Sequence, residues 1–225
     1  MNIDITPTWQ EKYPGAHIGL LLVRNINNQS PSDFLEQNKR SREAHLRSKY
    51  EGYSRADLQA IETMQAYRLY YKAFRKTYHV QLQLESILFS GKDLPSVNPL
   101  VDAAFMAEME TLILTASHDV AKLTPPVFID IAQENEDFNM LSGQTAALKA
   151  GDMIMRDAHG VVCTVIYGQD RRTAISKKTR QAIYVCYVPA GIQTGDIDVH
   201  LEMIEKNIAL FSSQVEIGYR IILPR

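Results

Sequence analysis

The fold is decided by the stretch Val161-Val-Cys-Thr-Val-Ile-Tyr167 and by a second stretch of the same kind, Ala182-Ile-Tyr-Val-Cys-Tyr-Val188. Both are apolar, short and rich in Val, Ile and Tyr, which predicts two β-strands. We call residues 168–180 between them the basic loop, because they include five cations: Arg171, Arg172, Lys177, Lys178 and Arg180. A loop that a rigid sheet holds can meet an anionic or hydroxyl-bearing ligand, although a solvated loop is the simpler interpretation.

Composition indicates an ordinary globular protein. Of the 225 residues, 45% are hydrophobic and 22% are charged, which suffices for one large domain or two small ones. A net charge of −2 argues against holding nucleic acid by bulk charge, although the first 80 residues are net basic. Cys163 and Cys186 lie within the apolar stretches, so buried, reduced thiols are expected. We see no signal-peptide pattern, and residues 18–23 are too short to span a membrane, so a cytoplasmic location is expected.

Helix-start signals organise the first half of the chain. A buried strand is predicted at residues 18–23. Ser30-Pro31-Ser32-Asp33 predicts the start of a helix that continues to about Lys49. Ser54-Arg-Ala-Asp57 has the capping-box pattern and opens a second helix, whose apolar face continues to Tyr78. The Tyr residues on that face pack a core more readily than they stack on bases. Asn98-Pro99 starts a further helix.

The second half of the chain has the pattern of short strands separated by turns. Strands are predicted at residues 127–131, 138–141, 153–155, 161–167 and 182–188. A helix near residues 196–211 and a strand at residues 215–223 complete the chain. Helices and strands mixed in this way, with antiparallel-type turns, predict the α+β class, with mixed or antiparallel sheets and flanking helices.

The common cofactor motifs do not occur. The sequence contains no glycine-rich nucleotide loop and no Cys-x-x-Cys, and its six histidines include no pair at helical metal-ligand spacing. We therefore expect neither a metal nor an organic cofactor. Carboxylates cluster at Glu134, Glu136 and Asp137, where capping a turn is a simpler role than general base catalysis.

Several ordered fragments carry a family resemblance. They are Leu94-Pro-Ser-Val-Asn98-Pro-Leu-Val-Asp102, His118-Asp-Val-Ala-Lys-Leu123, Asn135-Glu-Asp-Phe138, Arg156-Asp-Ala-His-Gly-Val-Val-Cys163 and Arg172-Thr-Ala-Ile-Ser-Lys-Lys-Thr179. Their order resembles the B3/B4 domain, the editing module of the bacterial phenylalanyl-tRNA synthetase β subunit, and more closely the free-standing proteins built on it. The resemblance covers roughly residues 70–191. It implies a B3/B4-like domain at residues 70–225, with residues 1–69 as a strand and helical extension packed on the same unit.

The resemblance also implies a function and a site. The editing domain binds the 3′ end of a mischarged tRNA and hydrolyses the ester, which requires a positioned water and donors for the oxyanion. The expected partner is therefore the aminoacylated end of tRNA, with no membrane, and the oligomeric state stays open. His118 and Thr173 are the catalytic candidates. The substrate-binding candidates are Gly168, Arg171, Arg172, Thr179, Asp119 and Glu136.

Two departures from the family pattern limit this prediction. Ala116 stands at the position of the family's histidine, and Val185 stands where the family has the glutamate that reads a tyrosine hydroxyl. Structural roles are also open: Asp119 can cap a helical turn, Glu136 can hold its own turn, and Gly168 can permit a bulge. Three functions follow: hydrolysis of mischarged tRNA in trans, binding of tRNA or an amino-acid-like ligand without chemistry, or protein interaction. Binding and hydrolysis both require a crevice between β-structures beside the basic loop, with Arg172 facing it.

Overall fold

The computed structural model describes residues 1–28 and 33–224, which form an α+β structure, as predicted. The helices are α1 (Pro7–Lys12), α2 (Asp33–Lys49), α3 (Arg55–Gln59), α4 (Glu62–Ala73), α5 (His79–Phe89), α6 (Pro99–Thr111) and α7 (Thr194–Ala209). The strands are β1 (Ile3–Ile5), β2 (His17–Arg24), β3 (Thr115–Asp119), β4 (Val127–Ile131), β5 (Asp137–Asn139), β6 (Thr145–Ala147), β7 (Met153–Asp157), β8 (Gly160–Thr164), β9 (Gly168–Gln169), β10 (Ala182–Val188) and β11 (Glu216–Leu223). Within the described ranges, no helix is long and apolar enough to cross a membrane.

A four-stranded antiparallel sheet in the order β11-β2-β10-β3 forms the centre of the molecule. Every residue of β10 is buried, because strands cover both of its edges and other elements cover both of its faces. Helices pack on one face, where the Tyr184 hydroxyl donates to the Leu100 carbonyl of α6 (2.9 Å). On β2, a Cβ added to Gly19 would lie 2.7 Å from the Ile197 side chain, so only glycine permits this approach of α7.

A five-stranded sheet in the order β1-β4-β7-β8-β9 lies beside the first one. β1 is parallel to β4, and the other neighbours are antiparallel. The two strands predicted on either side of the basic loop belong to different sheets, because β8 pairs with β7 while β10 pairs with β2 and β3. The basic loop is therefore a connection between sheets and not the tip of a hairpin. Cys163 and Cys186, one on each of these strands, are free and buried as expected.

The helix starts were predicted more accurately than the length of the helix that carries the apolar stripe. Asn98 caps α6 by accepting from the Leu100 amide (3.1 Å), and Ser54 and Asp57 form the predicted capping box. The predicted start of α2 at residues 30–32 lies outside the described residues. The single helix predicted from Ser54 to Tyr78 is wrong, because Ile61 has an extended backbone (ψ 131°) that divides it into α3 and α4.

The tyrosines of that stripe nevertheless pack into the core. The rings of Tyr67 and Tyr78 stack with centroids 4.3 Å apart, and the Tyr78 hydroxyl donates to the Leu112 carbonyl (2.8 Å). Both side chains are fully buried, which confirms core packing rather than base stacking.

Residues 1–69 share a sheet and a core with the rest of the chain. β2 lies between β10 and β11, and Trp9 of α1 is buried. The buried Lys39 of α2 donates to Asp102 of α6 (3.1 Å) and to the Ser96 hydroxyl (2.6 Å). These contacts support the proposal that the extension and the remainder fold as one unit.

Candidate functional site

A crevice of about 570 Å³ lies between the two sheets, beside the basic loop. Its lining residues come from β3 and β10 of the four-stranded sheet, from β8, β9 and the residues between them in the five-stranded sheet, from α6 and from the basic loop. The lining residues are His79, Val97, Asn98, Val101, Ala104, Phe105, Leu114, Thr115, Ala116, Ser117, Leu141, Cys163, Thr164, Val165, Tyr167, Gly168, Gln169, Ala174, Ile175, Ser176, Lys177 and Tyr187. The expected crevice beside the basic loop is therefore present.

The crevice wall is mostly apolar and carries little charge. Among the described lining residues there is no Asp or Glu, and Lys177 is the single lysine or arginine. Hydroxyl and amide groups of Ser117, Thr164 and Gln169 are distributed around the apolar surface. Such a wall accepts an apolar group and orients it with a few polar contacts.

Most of the predicted site residues lie outside the crevice wall, in a polar network that joins the basic loop to its neighbours. We call this the loop network, and it consists of His118, Asp119, Asp157, Asp170, Arg172, Thr173 and Thr179. The buried Asp119 accepts from the Thr179 hydroxyl (2.7 Å) and from the Ala121 amide (3.1 Å), so it caps the short helical turn that follows β3. The backbone amide of Asp119 donates to the Thr173 carbonyl (2.9 Å). The network thus fixes the basic loop to β3.

His118 and Thr173, the two catalytic candidates, bond to each other within this network. The Thr173 hydroxyl donates to Asp170, and the Thr173 amide donates to the same carboxylate (2.9 Å). Because that hydroxyl proton points to Asp170, His118 Nδ1, 2.6 Å from Thr173 Oγ1, has to carry the proton of their shared bond. Nε2 of His118 is left as a buried acceptor with no partner in the described residues.

Burial decides the charge of His118. Desolvation, and next the positive charge of Arg172, lower the pKa of His118 to about 3. Its side chain is fully buried and is not part of the crevice wall. A general base for a ligand in the crevice has to reach that ligand, which His118 does not do in this conformation.

The charged candidates are also engaged elsewhere. Arg172 forms two hydrogen bonds with Asp157 (2.8 and 2.9 Å) and is not among the described lining residues, so the expectation that it faces the crevice is wrong. Burial favours a raised pKa for Asp157, but the Arg172 guanidinium and the amides of Thr124 and His159 hold it below its usual value. Glu136 accepts from Arg156 (2.9 Å) and from the Gln133 amide (3.2 Å), which places it in its own turn.

Of the remaining candidates, Gly168 alone lines the crevice. Its φ of +82° requires glycine, and nothing lies within 4 Å of an added Cβ. Arg171 is exposed and its guanidinium lies near Gly143, in the turn between β5 and β6. The roles of these residues toward a ligand stay predictions.

Comparison with known proteins matches this arrangement to a family. The family model of the B3/4 domain matches residues 63–214. The chain belongs to this family. Its fold is also similar to that of an N-terminal fragment of the phenylalanyl-tRNA synthetase β subunit from Pyrococcus horikoshii, with a TM-score of 0.51 and 12% sequence identity.

That similarity covers 100% of this chain and 55% of the archaeal fragment, so the chain spans about half the length of that structure. No curated protein matches the sequence significantly. The predicted resemblance to the B3/B4 domain is therefore confirmed by the family model, and the fold is similar to that of the synthetase fragment.

The two departures from the family pattern lie next to each other in the four-stranded sheet. Ala116 of β3 pairs with Val185 of β10, so the two side chains point to the same face. Ala116 lines the crevice, so the residue that the resemblance aligns with the family's histidine contributes a methyl group to the crevice wall. His118, two residues later, is in the loop network instead.

Sequence reasoning missed Tyr187 and His79 as residues of this site. Tyr187 lines the crevice beside Cys163, its side chain is buried, and its hydroxyl interacts with the Cys163 thiol. Burial raises the pKa of Tyr187 well above its usual value, so the hydroxyl stays protonated and able to donate. His79 Nδ1 lies 2.8 Å from the Tyr71 hydroxyl, and burial lowers the pKa of His79 to about 4. A tyrosine within a wholly apolar strand gives no sequence signal of this kind.

Proposed function

We propose that the crevice binds the aminoacylated 3′ end of a tRNA, with the amino-acid side chain against the apolar wall. The observation that carries the proposal is a crevice with an apolar wall and polar groups around it, between the two sheets of a B3/4 domain. The structural neighbour is named as part of a tRNA synthetase, which favours tRNA over other ligands that carry an apolar group.

The size and chemistry of the crevice support this ligand class. About 570 Å³ lies within the usual range for small-molecule sites, roughly 300–1,000 Å³. Val101, Phe105 and Ile175 offer contact to an apolar side chain, and the absence of described carboxylates from the wall removes repulsion of a phosphate. Lys177 is exposed on the basic loop, where it can pair with a phosphate at the mouth of the crevice.

Hydrolysis of the ester in trans is the second candidate, and the Tyr187 hydroxyl on the crevice wall favours it. A protonated donor at this position can stabilise the negative oxygen that forms when water attacks an ester carbonyl. No described carboxylate lines the crevice, and the buried His118 does not reach it. Activation of the water then depends on the substrate's own ribose hydroxyl.

The experiment compares one tRNA in three forms: unacylated, charged with labelled phenylalanine and charged with labelled aspartate. Filter retention measures binding, and loss of acid-precipitable label measures hydrolysis. We expect tighter retention of the phenylalanyl form, and we expect the preference to disappear in Ala116→Phe, which places an aromatic ring inside the crevice. Val199→Phe, which adds an aromatic ring at an exposed position outside the crevice, is the matched control. Equal retention of all three forms by the wild-type protein contradicts the proposal.

Tyr187→Phe separates binding from hydrolysis. Removal of one oxyanion donor lowers the rate of ester loss by roughly a hundredfold, while retention of the phenylalanyl form stays unchanged. Retention without any ester loss in the wild-type protein leaves binding as the function and rejects hydrolysis.

A further inference from the structure

A second concave surface is formed by α3, α4 and the segment that follows α4. We call it the basic groove, because it is lined by five cations: Arg55, Arg68, Lys72, Arg75 and Lys76. Its volume is about 770 Å³, and no Asp or Glu is among its described lining residues. The chain as a whole carries a net charge of −2, so this surface departs sharply from the average.

Four of the five cations are not neutralised. Arg55 forms a bidentate pair with Glu85 (2.7 and 2.8 Å). The other four have no carboxylate within 4.0 Å among the described residues, and all four are exposed. Arg68 and Lys72 are four residues apart on α4, so they occupy the same face, one above the other. Unpaired cations on one face raise the local potential and attract a polyanion.

The basic groove is next to the crevice. The Lys76 ammonium lies 5.7 Å from the centre of the Tyr167 ring, and Tyr167 lines the crevice. Tyr78 lines the groove, and the following residue, His79, lines the crevice. A chain of phosphates lying along the groove can therefore continue into the crevice.

We infer that the basic groove binds the phosphate backbone of a single-stranded RNA end that leads into the crevice. Naming the RNA as the acceptor end of tRNA rests on the proposed function. A lipid surface is the other polyanion to consider, but a concave groove fits a linear chain of phosphates better than a flat sheet of headgroups.

The test measures the dissociation constant of the full-length protein for unacylated tRNA and for a short single-stranded RNA, at several salt concentrations. The groove variant is Arg68→Glu with Lys72→Glu. The control, Arg24→Glu with Lys206→Glu, changes the net charge equally at exposed cations outside the groove. For a single strand, removing one cation that pairs with a phosphate lowers the slope of log Kd against the logarithm of the salt concentration by about 0.7. We expect binding roughly tenfold weaker and a slope lower by about 1.4 in the groove variant, with the control close to wild type.

The neutral pair Arg68→Gln with Lys72→Gln gives the same reduction of slope if the cations contact phosphate, and its thermal unfolding shows that the fold is retained. Equal weakening in the groove and control variants overturns the inference, because it shows a general charge effect. Binding to vesicles containing phosphatidylserine, but not to RNA, also overturns it.

The result is separate from that of the proposed function. If the groove variant behaves like the control while the wild-type protein still prefers phenylalanyl-tRNA, the groove inference fails and the crevice proposal stands. If the groove variant loses RNA binding while aminoacylation makes no difference to the wild-type protein, the groove inference stands and the crevice proposal fails.

Discussion

The loop network and the crevice both adjoin the basic loop but differ in their chemistry. The network contains the buried and hydrogen-bonded groups of His118, Asp119, Asp157 and Asp170. The crevice has a mostly apolar wall, whose few polar groups include the hydroxyl of Tyr187. In the network, Asp157 alone accepts four hydrogen bonds. The difference shows that the charged and titratable residues position the loop, while mostly apolar residues form the space for a ligand.

The largest expected effect is the loss of stability when the network is cut at Asp157. Its side chain is 0% exposed, and Asp157→Ala leaves Arg172 and the Thr124 amide without their acceptor. We expect the free energy of unfolding to fall by about 3 kcal/mol, the lower end of the range for breaking a buried pair, because Arg172 is 37% exposed. Urea denaturation measures it. Arg172→Ala is expected to cost less, and a smaller loss for Asp157→Ala than for Arg172→Ala would show that the carboxylate is not the centre of the network.

A medium effect is expected in the pH dependence of stability, through His118. Its pKa is about 3 in the folded protein against an ordinary 6.5, so the unfolded chain binds the proton first. The contribution of His118 is therefore complete above pH 6.5 and is lost toward pH 3, at about 1.4 kcal/mol per pH unit.

The measurement is the difference in unfolding free energy between wild type and His118→Asn at several pH values from 7 to 5. The difference isolates His118, because the other titrating groups contribute equally to both proteins. The subtraction is needed because some of them act in the opposite direction. Burial raises the pKa of Glu108 to about 8, so Glu108 favours the folded state as the pH falls from 8 toward 4.5. A difference that does not vary with pH would mean that His118 is hydrated and that the network is open to solvent.

The smallest effect on stability is expected in the crevice. Ala116→Leu points into open space, so the free energy of unfolding should change by no more than about 0.5 kcal/mol, while retention of phenylalanyl-tRNA falls. Val199→Leu, at an exposed position outside both regions, should change neither quantity. A large stability loss for Ala116→Leu would indicate that the crevice closes in solution, and the contrast between the loop network and the crevice would disappear.

Much of the fold could be predicted, because its signals are local. Asn98-Pro99 caps α6 whatever surrounds it, and the β-branched and aromatic run of β10 is the strand that it predicts. β3 could not be predicted, because Thr115-Ala-Ser-His-Asp119 has no apolar alternation. It becomes a strand by pairing with β10, a partner more than sixty residues away, and tertiary pairing of this kind leaves no local signal.

The site could be predicted only in its location. Polarity led to His118, Asp119, Thr173 and Thr179, which do belong together but bond to one another. The crevice wall is assembled from α6, β3, β8 and β10, and its residues are those that sequence reasoning assigns to the core. An apolar residue that faces a hollow and one that faces another side chain look the same in a sequence.

The central position of β2 has a practical consequence for anyone who shortens this protein. The family match begins at residue 63, yet β2 covers the whole length of β10 on one edge and also pairs with β11. A fragment of residues 63–214 alone would lack β2 and β11. The edge of β10 that β2 covers would then be long and apolar, with unpaired amide and carbonyl groups. Such an edge recruits a second molecule by strand addition, so the excised piece is expected to aggregate.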